Sequence, residues 1–404
     1  MSSSTIIGAI EIGTSKVAVL VGEVTPASAL NILGHAECTT VGVRKGEVLD
    51  FRATANCVHT AIVAAEKHAG ATLDGVYLAI TGGFLSGFPH HGTVSVAAAD
   101  DVVSAGDVAR ATEQAKAKLP QAGKIYIHHI RSGFRLDGKR VEDPVGMRGE
   151  TLEALYWHVV GDERKVANQM QVINSFGGVE VRDLIQSAAA SATIMASEEE
   201  KRAGVLVVDL GCGTTDWALY QHGRIAMTGV VPVGGDHLTN DLSLGLRVPG
   251  IRAEAFKREA GRAVVEKDDQ NATIWMYGDL TIGDRKIPRL AINQILAARV
   301  EEIFTLIKRQ LGTLASRQDI PAGVILTGGG SRLASLPEAV RRVMGLDVRL
   351  GESPHWVTNS VLRQPEYSTV LGLLYYGLYA QPPEPTRPAK ASFLGKVADL
   401  LRLS

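Results

Sequence analysis

The feature that most constrains this chain occurs twice. Near the start, the apolar run from Thr5 to Ile12 ends on Glu11-Ile12, turns at Gly13-Thr14-Ser15 and returns as the apolar run Val17 to Val24. In the second half, Val205 to Leu210 ends on Asp209-Leu210, turns at Gly211-Cys212-Gly213-Thr214-Thr215 and returns as Trp217 to Tyr220. One glycine-turned hairpin is commonplace. Two matched copies, each with a carboxylate and an aliphatic residue just before glycine, mark a duplicated architecture.

The chemistry of these turns is that of a phosphate cradle. A triphosphate needs many close donors, no side chain blocking its approach, and a cation to offset its charge. The backbone N–H groups of Gly13, Gly211 and Gly213, the hydroxyls of Thr14, Ser15, Thr214 and Thr215, and the Lys16 ammonium supply the donors. Glu11, Asp209 and Asp216 are placed to hold Mg2+ through waters the ion keeps. A third turn follows a strand at Val324 to Thr327: Gly328-Gly329-Gly330-Ser331 offers bare backbone on which a nucleoside can lie. Glu254 and Lys257, three apart on one helical face, can reach a ribose hydroxyl and flank a base.

Helical periodicity is expected at Ala53 to Gly70, Ser104 to Leu119, Ala188 to Ala196, Ile251 to Gly261, Ile292 to Leu311 and Leu336 to Met344. Strand-like runs at Gly75 to Ile80, Thr93 to Ala97, Lys124 to Ile130 and Leu152 to Val160 place a small α/β unit inside the first half. A net charge of −1, from 42 basic and 43 acidic residues, leaves no field to attract nucleic acid. Three cysteines with no CxxC spacing argue against a zinc site or disulfide framework. Gly133 to Lys139 has the spacing of a P-loop, but Arg140 stands where the magnesium-binding hydroxyl belongs, and no buried strand is expected before it. No GxGxxG follows the first strand, which argues against a dinucleotide fold. The His90-His91 and His128-His129 pairs are adjacent, so their side chains point apart and do not ligate together.

The C-terminus differs in kind. Gln381 to Lys390 contains four prolines and reads as an extended spacer. Beyond it, Phe393, Leu394, Val397, Leu400 and Leu401 cover an arc of roughly 120° on a helical wheel. Lys390, Lys396 and Arg402 are available to anionic headgroups, which describes a weak interfacial membrane helix strengthened by display in many copies.

With these elements in place, the sequence resembles the actin, heat-shock chaperone and sugar kinase superfamily, and within it the FtsA family of bacterial cell-division proteins. The resemblance rests on Glu11 to Lys16, Asp209 to Asp216, Glu254 to Lys257, Gly323 to Arg332, Asp143-Pro144-Val145-Gly146-Met147 in the inserted segment, and Thr369 to Gly377. It implies an α/β, actin-like ATPase fold with two lobes, duplicated β-sheet cores and an FtsA-type subdomain inserted in the first lobe. The expected organisation is a first-lobe core over 1–83 and 163–203 around the inserted subdomain at 84–162. The second-lobe core covers 204–235 and 312–364 around an outer subdomain at 236–311. An inter-domain helix follows at 365–380, then a linker at 381–391 and a membrane-targeting helix at 392–404.

The resemblance further implies an ATP- and Mg2+-binding protein that polymerises with itself and works with other divisome proteins. It would tether FtsZ, through the FtsZ C-terminal peptide, to the cytoplasmic face of the inner membrane. The peptide would meet Arg299 and Glu302. Two departures stand out. Cys212 replaces the usual middle glycine of the second turn. Relatives that hydrolyse ATP carry Gln or Glu on the first inter-domain helix to position water, whereas that position here falls on Ser187, with Gln186 one residue away. Slow or negligible turnover is the expectation. A pilus-assembly adaptor and a small-molecule kinase of the same superfamily are the competing readings.

Overall fold

In the computed structural model, which describes residues 4–25, 29–175, 177–278 and 283–380, both hairpins form as strands of two sheets with the same topology. In the first lobe β1 (Thr5–Ile12), β2 (Lys16–Val24) and β3 (Leu30–Thr39) run antiparallel in succession. A two-residue hairpin, β4 (Val43–Arg44) and β5 (Glu47–Val48), leads to α1 (Phe51–Ala69), and β6 (Gly75–Ile80) then pairs parallel with β1. α1 is bounded as chemistry dictates. The Asp50 carboxylate accepts the Ala53 N–H at its start, and Gly70 takes the left-handed conformation at its end.

The inserted unit follows as β7 (Leu85–Ser95), α2 (Ala105–Lys116), β8 (Lys124–Leu136), β9 (Lys139–Val141) and β10 (Thr151–Asp162), in sheet order β7-β10-β8-β9. Its strands run longer than the apolar stretches suggest, because polar residues such as His90 and His129 are half-buried within them. The P-loop-like spacing falls on the end of β8 and the Asp137-Gly138 turn into β9, so no helix opens there. Contrary to the expectation, a strand does lead into it. His128 and His129 face opposite ways on β8: His128 Nε2 accepts the Gln186 N–H at 2.9 Å, while His129 Nδ1 meets His158 Nδ1 at 2.8 Å. Burial holds all three histidines down, to about 4, so they pack as neutral rings.

The chain returns to the first sheet through α3 (Glu163–Asn174) and β11 (Glu180–Gln186), which pairs parallel with β6. Then come α4 (Ser187–Met195) and α5 (Glu198–Ala203). The second lobe repeats the scheme with β12 (Val205–Leu210), β13 (Thr215–Gln221) and β14 (Arg224–Val231) antiparallel. α6 (Gly235–Leu246), α7 (Gly250–Glu259), the hairpin β15 (Thr273–Met276) and β16 (Arg285–Pro288), and α8 (Arg289–Leu311) follow. β17 (Val324–Thr327) then pairs parallel with β12, α9 (Leu336–Met344) intervenes, and β18 (Val348–Leu350) pairs parallel with β17. α10 (Ser368–Tyr379) closes the described chain. The orders β11-β6-β1-β2-β3 and β18-β17-β12-β13-β14 are therefore the same strand scheme written twice.

Strand periodicity divides the cores. On β1, Ile7 and Ala9 join one apolar cluster with α4 and α10, whereas Ile10 and Ile12 join another against α1. On β12, Val205 and Val207 enter the α4/α10 cluster, while Leu206, Val208 and Leu210 pack against α8 and α9. The alanine-rich α4 and the glycine-bearing α10 thus form one layer shared by both sheets. They approach so closely that a Cβ on Gly372 would sit 2.0 Å from the Ala190 carbonyl oxygen. This layer joins the lobes and aims the two acidic hairpins at one cleft.

Candidate functional site

The two turns are built alike. Ile12 pairs with Val17 and Leu210 with Thr215, so each turn encloses four residues. The Gly13 N–H donates to the Lys16 carbonyl at 2.9 Å, and the Gly211 N–H donates to the Thr214 carbonyl at the same 2.9 Å. They meet tip to tip: a Cβ on Gly213 would lie 2.2 Å from Thr14 Oγ1 and 3.0 Å from the Lys45 backbone nitrogen. Lys45 and Gly46 take positive φ at the tip of the β4–β5 hairpin, which closes the floor of the contact.

Between the turns lies a cleft of about 710 Å³. Of the anticipated residues, Glu11, Gly13, Ser15, Lys16, Asp209, Gly211, Thr214, Asp216, Glu254, Lys257, Gly328, Gly329 and Gly330 line it. Thr14 and Gly213 stand behind the wall, where the turns touch. Thr215 and Ser331 spend their hydroxyls on neighbouring backbone, donating to the Val233 carbonyl at 2.8 Å and the Gly328 carbonyl at 2.7 Å. Gly328 needs its φ of +80°, and any side chain there would strike Asp209 Oδ1 at 2.2 Å.

Each acid is held differently. Asp209 Oδ2 accepts from Ser368 Oγ at 3.2 Å and Thr369 Oγ1 at 3.0 Å, both at the start of α10. Asp216 accepts from Thr214 at 2.9 Å and, across the lobes, from Thr81 at 2.6 Å. Glu11 Oε2 is covered and finds no hydrogen-bond partner. Burial, then repulsion from Asp209 and Asp216, pushes the Glu11 carboxyl up to about 8; burial also raises Asp216, to about 7, and Asp209. Two buried aspartates and the half-buried Glu11, whose covered Oε2 is orphaned, form a set that a cation would complete. Among the described residues no three His, Cys, Asp or Glu side chains form a cluster that could ligate one ion together.

The opposite wall is cationic and carries more polar detail than its sequence shows. Lys257 Nζ contacts Glu254 at 2.6 Å, Thr239 Oγ1 at 2.7 Å and the Gly235 carbonyl at 2.9 Å. Against the cost of burial, Lys257, Thr239 and Arg258 draw the Glu254 carboxyl down to about 2. Cys212 lines the cleft, and burial, reinforced by Asp236, lifts its thiol to about 11, so it sits there uncharged. Lys16 is steered by Glu37 at 3.1 Å, which also accepts from Tyr367 at 2.7 Å. Thr81, Glu37, Tyr367, Ser368 and Thr369 were not anticipated. The one local signal was Thr81 between a buried strand and Gly82-Gly83.

Of the two water-positioning candidates, Ser187 lines the cleft with its Oγ unpartnered; Gln186 is buried off the wall, its backbone tied to His128. Arg299 makes a two-pronged pair with Asp241, at 2.6 and 3.0 Å, and also bonds Glu302. Phe393, Leu394, Val397, Leu400 and Leu401 lie outside the described residues.

Comparison with known proteins places this geometry in context. The family described as "Cell division protein FtsA" matches residues 206–372, and the "SHS2 domain inserted in FTSA" matches residues 82–160. The chain is 34% identical to the cell division protein FtsA of Pseudomonas aeruginosa, covering 94% of this chain and 91% of that protein. It is 30% identical to the FtsA of Escherichia coli K12, covering 91% and 89% respectively. Among solved structures, a PilM-PilN type IV pilus biogenesis complex matches with TM-score 0.61 at 17% identity, over 92% of this chain and 98% of that one. MreB5 of Spiroplasma citri bound to ADP matches with TM-score 0.54 at 15% identity, over 91% and 94%. Identities this low carry the fold alone, and the fold they carry is the actin-like ATPase fold.

Proposed function

Because the chain belongs to the FtsA family of cell division proteins, we propose that it binds Mg2+-ATP between its lobes and polymerises in that state. In this reading it tethers FtsZ filaments, through their C-terminal peptide, to the cytoplasmic face of the inner membrane. The observation that carries the nucleotide part is the convergence of two matched phosphate turns, with Thr14 against Gly213, on a cleft holding a buried, unpartnered Glu11 oxygen. Glu11, Asp209 and Asp216 would hold the ion through its waters, which neutralises triphosphate charge. Ser15, Lys16 and the turn N–H groups would meet phosphate oxygens; Glu254, Lys257 and Gly328 to Gly330 would take the nucleoside. Loss of Mg2+-dependent ATP binding in Asp209→Asn is the direct test. ATP binding by Asp209→Asn with unaltered affinity and unaltered metal dependence removes the reading.

The wall position taken by Ser187 in place of Gln or Glu supports a switch more than a catalyst. Hydrolysis is expected to stay below about one turnover per minute, and Gln186→Ala is expected to leave it within twofold. Rapid hydrolysis that vanishes in Gln186→Ala would overturn this.

The tether rests on the apolar arc of Phe393, Leu394, Val397, Leu400 and Leu401 beyond a proline-rich spacer. No described helix is long and apolar enough to cross a membrane. Leu400→Glu is expected to abolish co-sedimentation of the full chain with anionic liposomes, since it places a charge in the centre of the arc. Undiminished sedimentation ends that proposal. Arg299 and Glu302 remain the proposed contacts for the FtsZ peptide, with Asp241 presetting the Arg299 guanidinium.

A further inference from the structure

One pair of side chains has no part in the site above. Cys38 lies near the end of β3, and Cys57 is buried on α1, which packs across that strand. Both thiols point to one acceptor, the Thr39 carbonyl oxygen, which lies 3.6 Å from Cys38 Sγ and 3.3 Å from Cys57 Sγ. Cys57 is also close enough to help raise the Cys38 thiol above its usual range. A shared acceptor holds the two sulfurs on the same side of the β3 end, facing α1. Cys212, the remaining cysteine, belongs to the other lobe.

The place of this pair gives it a consequence. Cys38 is in register with Val17 and Thr39 with Lys16, the residues through which β2 leaves the first phosphate turn. The next residue, Thr40, donates its N–H to the Ser15 carbonyl at 3.1 Å, and the preceding one, Glu37, holds Lys16 at 3.1 Å. Whatever shifts Cys38 therefore shifts two supports of that turn. We propose that Cys38 and Cys57 form a reversible disulfide that draws the end of β3 toward α1 and weakens the first phosphate turn's hold on nucleotide; the coupling rests on the ATP reading above.

The chemistry closes with a low-molecular-weight disulfide as oxidant. The Cys38 thiolate, the more accessible of the pair, attacks one sulfur of that disulfide, breaking its S–S bond and expelling a thiolate. The Cys57 thiolate then attacks Cys38 Sγ in the mixed disulfide, forming the internal bond and expelling the second thiolate. The two protons lost by the cysteines end on the two departing thiols. Two protein thiols are oxidised and one disulfide is reduced to two thiols. Forming the bond removes both S–H donors from the Thr39 carbonyl, so the strand end loses two tethers as it moves. Burial and the neighbouring Cys57 keep the Cys38 thiol protonated above the usual range. The first step is therefore expected to accelerate nearly tenfold per pH unit between about 7 and 8.5.

The experiment uses the full chain treated with oxidised glutathione at pH 8.5, followed by peptide mapping without reduction and by ATP titration. A Cys38–Cys57 linked peptide is expected, with ATP affinity lowered about fivefold and restored by reductant. Cys57→Ser and the more exposed Cys38→Ser should each show neither change. Mixed disulfides alone, or linkage with unchanged ATP affinity, would overturn the proposal. Failure of the reduced protein to bind ATP would remove the ATP reading, and the coupling with it, while the mapping still decides whether the bond forms.

Discussion

Gly213→Val is expected to lower ATP affinity at least a hundredfold, with only a modest fall in melting temperature. The new Cβ would sit 2.2 Å from Thr14 Oγ1, and Thr14 can swing aside, but the Lys45 backbone at 3.0 Å cannot. Lys45 and Gly46 form a fixed two-residue turn. Gly46 donates no free space, since its own Cβ position is 2.5 Å from the Thr81 carbonyl, and its carbonyl accepts from Gln169 at 2.5 Å. The β-branched side chain must therefore separate the lobes where the two glycine turns touch. Overpacking of this kind costs about 1–3 kcal/mol, and a hundredfold in affinity corresponds to about 2.7 kcal/mol. Gly106→Ala, on α2 with no neighbour nearer than 3.5 Å, serves as the control and should bind normally. Titration calorimetry reads the outcome, and an affinity within threefold of the parent protein would show that the turns do not act as a clamp.

How much of this was legible before the fold was known follows a physical line. The paired hairpins, the parallel strand before the triple glycine, and helix α9 from Leu336 to Met344 stand where the residues indicated, because each is fixed by local pattern: a buried apolar run and a glycine that must turn. β3 was less visible, since Leu30–Thr39 mixes half-buried polar and apolar residues along an edge. The supports of the acids could not be read locally at all. Ser368 and Thr369 are separated from Asp209 by most of the second lobe in sequence, and Thr81 reaches Asp216 from the other lobe. A hydroxyl at a helix start looks like an ordinary capping residue until the fold brings a carboxylate to it. The same distance problem hid the Cys38–Cys57 contact, which exists only because α1 lies on β3. Cys212 shows the reverse case. Its identity as a departure was plain from sequence, yet only the cleft reveals that its thiol faces Asp236 and stays uncharged.

The ligand-free protein is expected to lose stability as pH rises from about 5 to 8, the opposite of ordinary acid-sensitive behaviour. The folded carboxyl of Glu11 titrates at about 8 and that of Asp216 at about 7, whereas in the unfolded chain both ionise in the usual carboxylate range. Between those limits the unfolded state has released protons that the folded state retains, so raising the pH favours unfolding. Below the unfolded values the effect vanishes, and above about 8 it is complete. A fall of at least about 5 °C in melting temperature across this interval is expected in the presence of a chelator. A cation in the cleft reverses the balance, because it favours the ionised acids. Mg2+-ATP binding should therefore release protons near pH 7, and its affinity should rise with pH between 6 and 8, by more than about tenfold per unit at the low end, where both acids start protonated. Glu11→Gln removes the costly ionisation while keeping the shape of the side chain. It should raise the ligand-free melting temperature at pH 8, flatten its pH dependence, and weaken Mg2+-dependent binding by about a hundredfold or more. Scanning fluorimetry from pH 5.5 to 8.5, with calorimetry in two buffers of different ionisation enthalpy, measures both halves. A pH-independent melting temperature together with no proton release would mean that these acids are not the cation's seat.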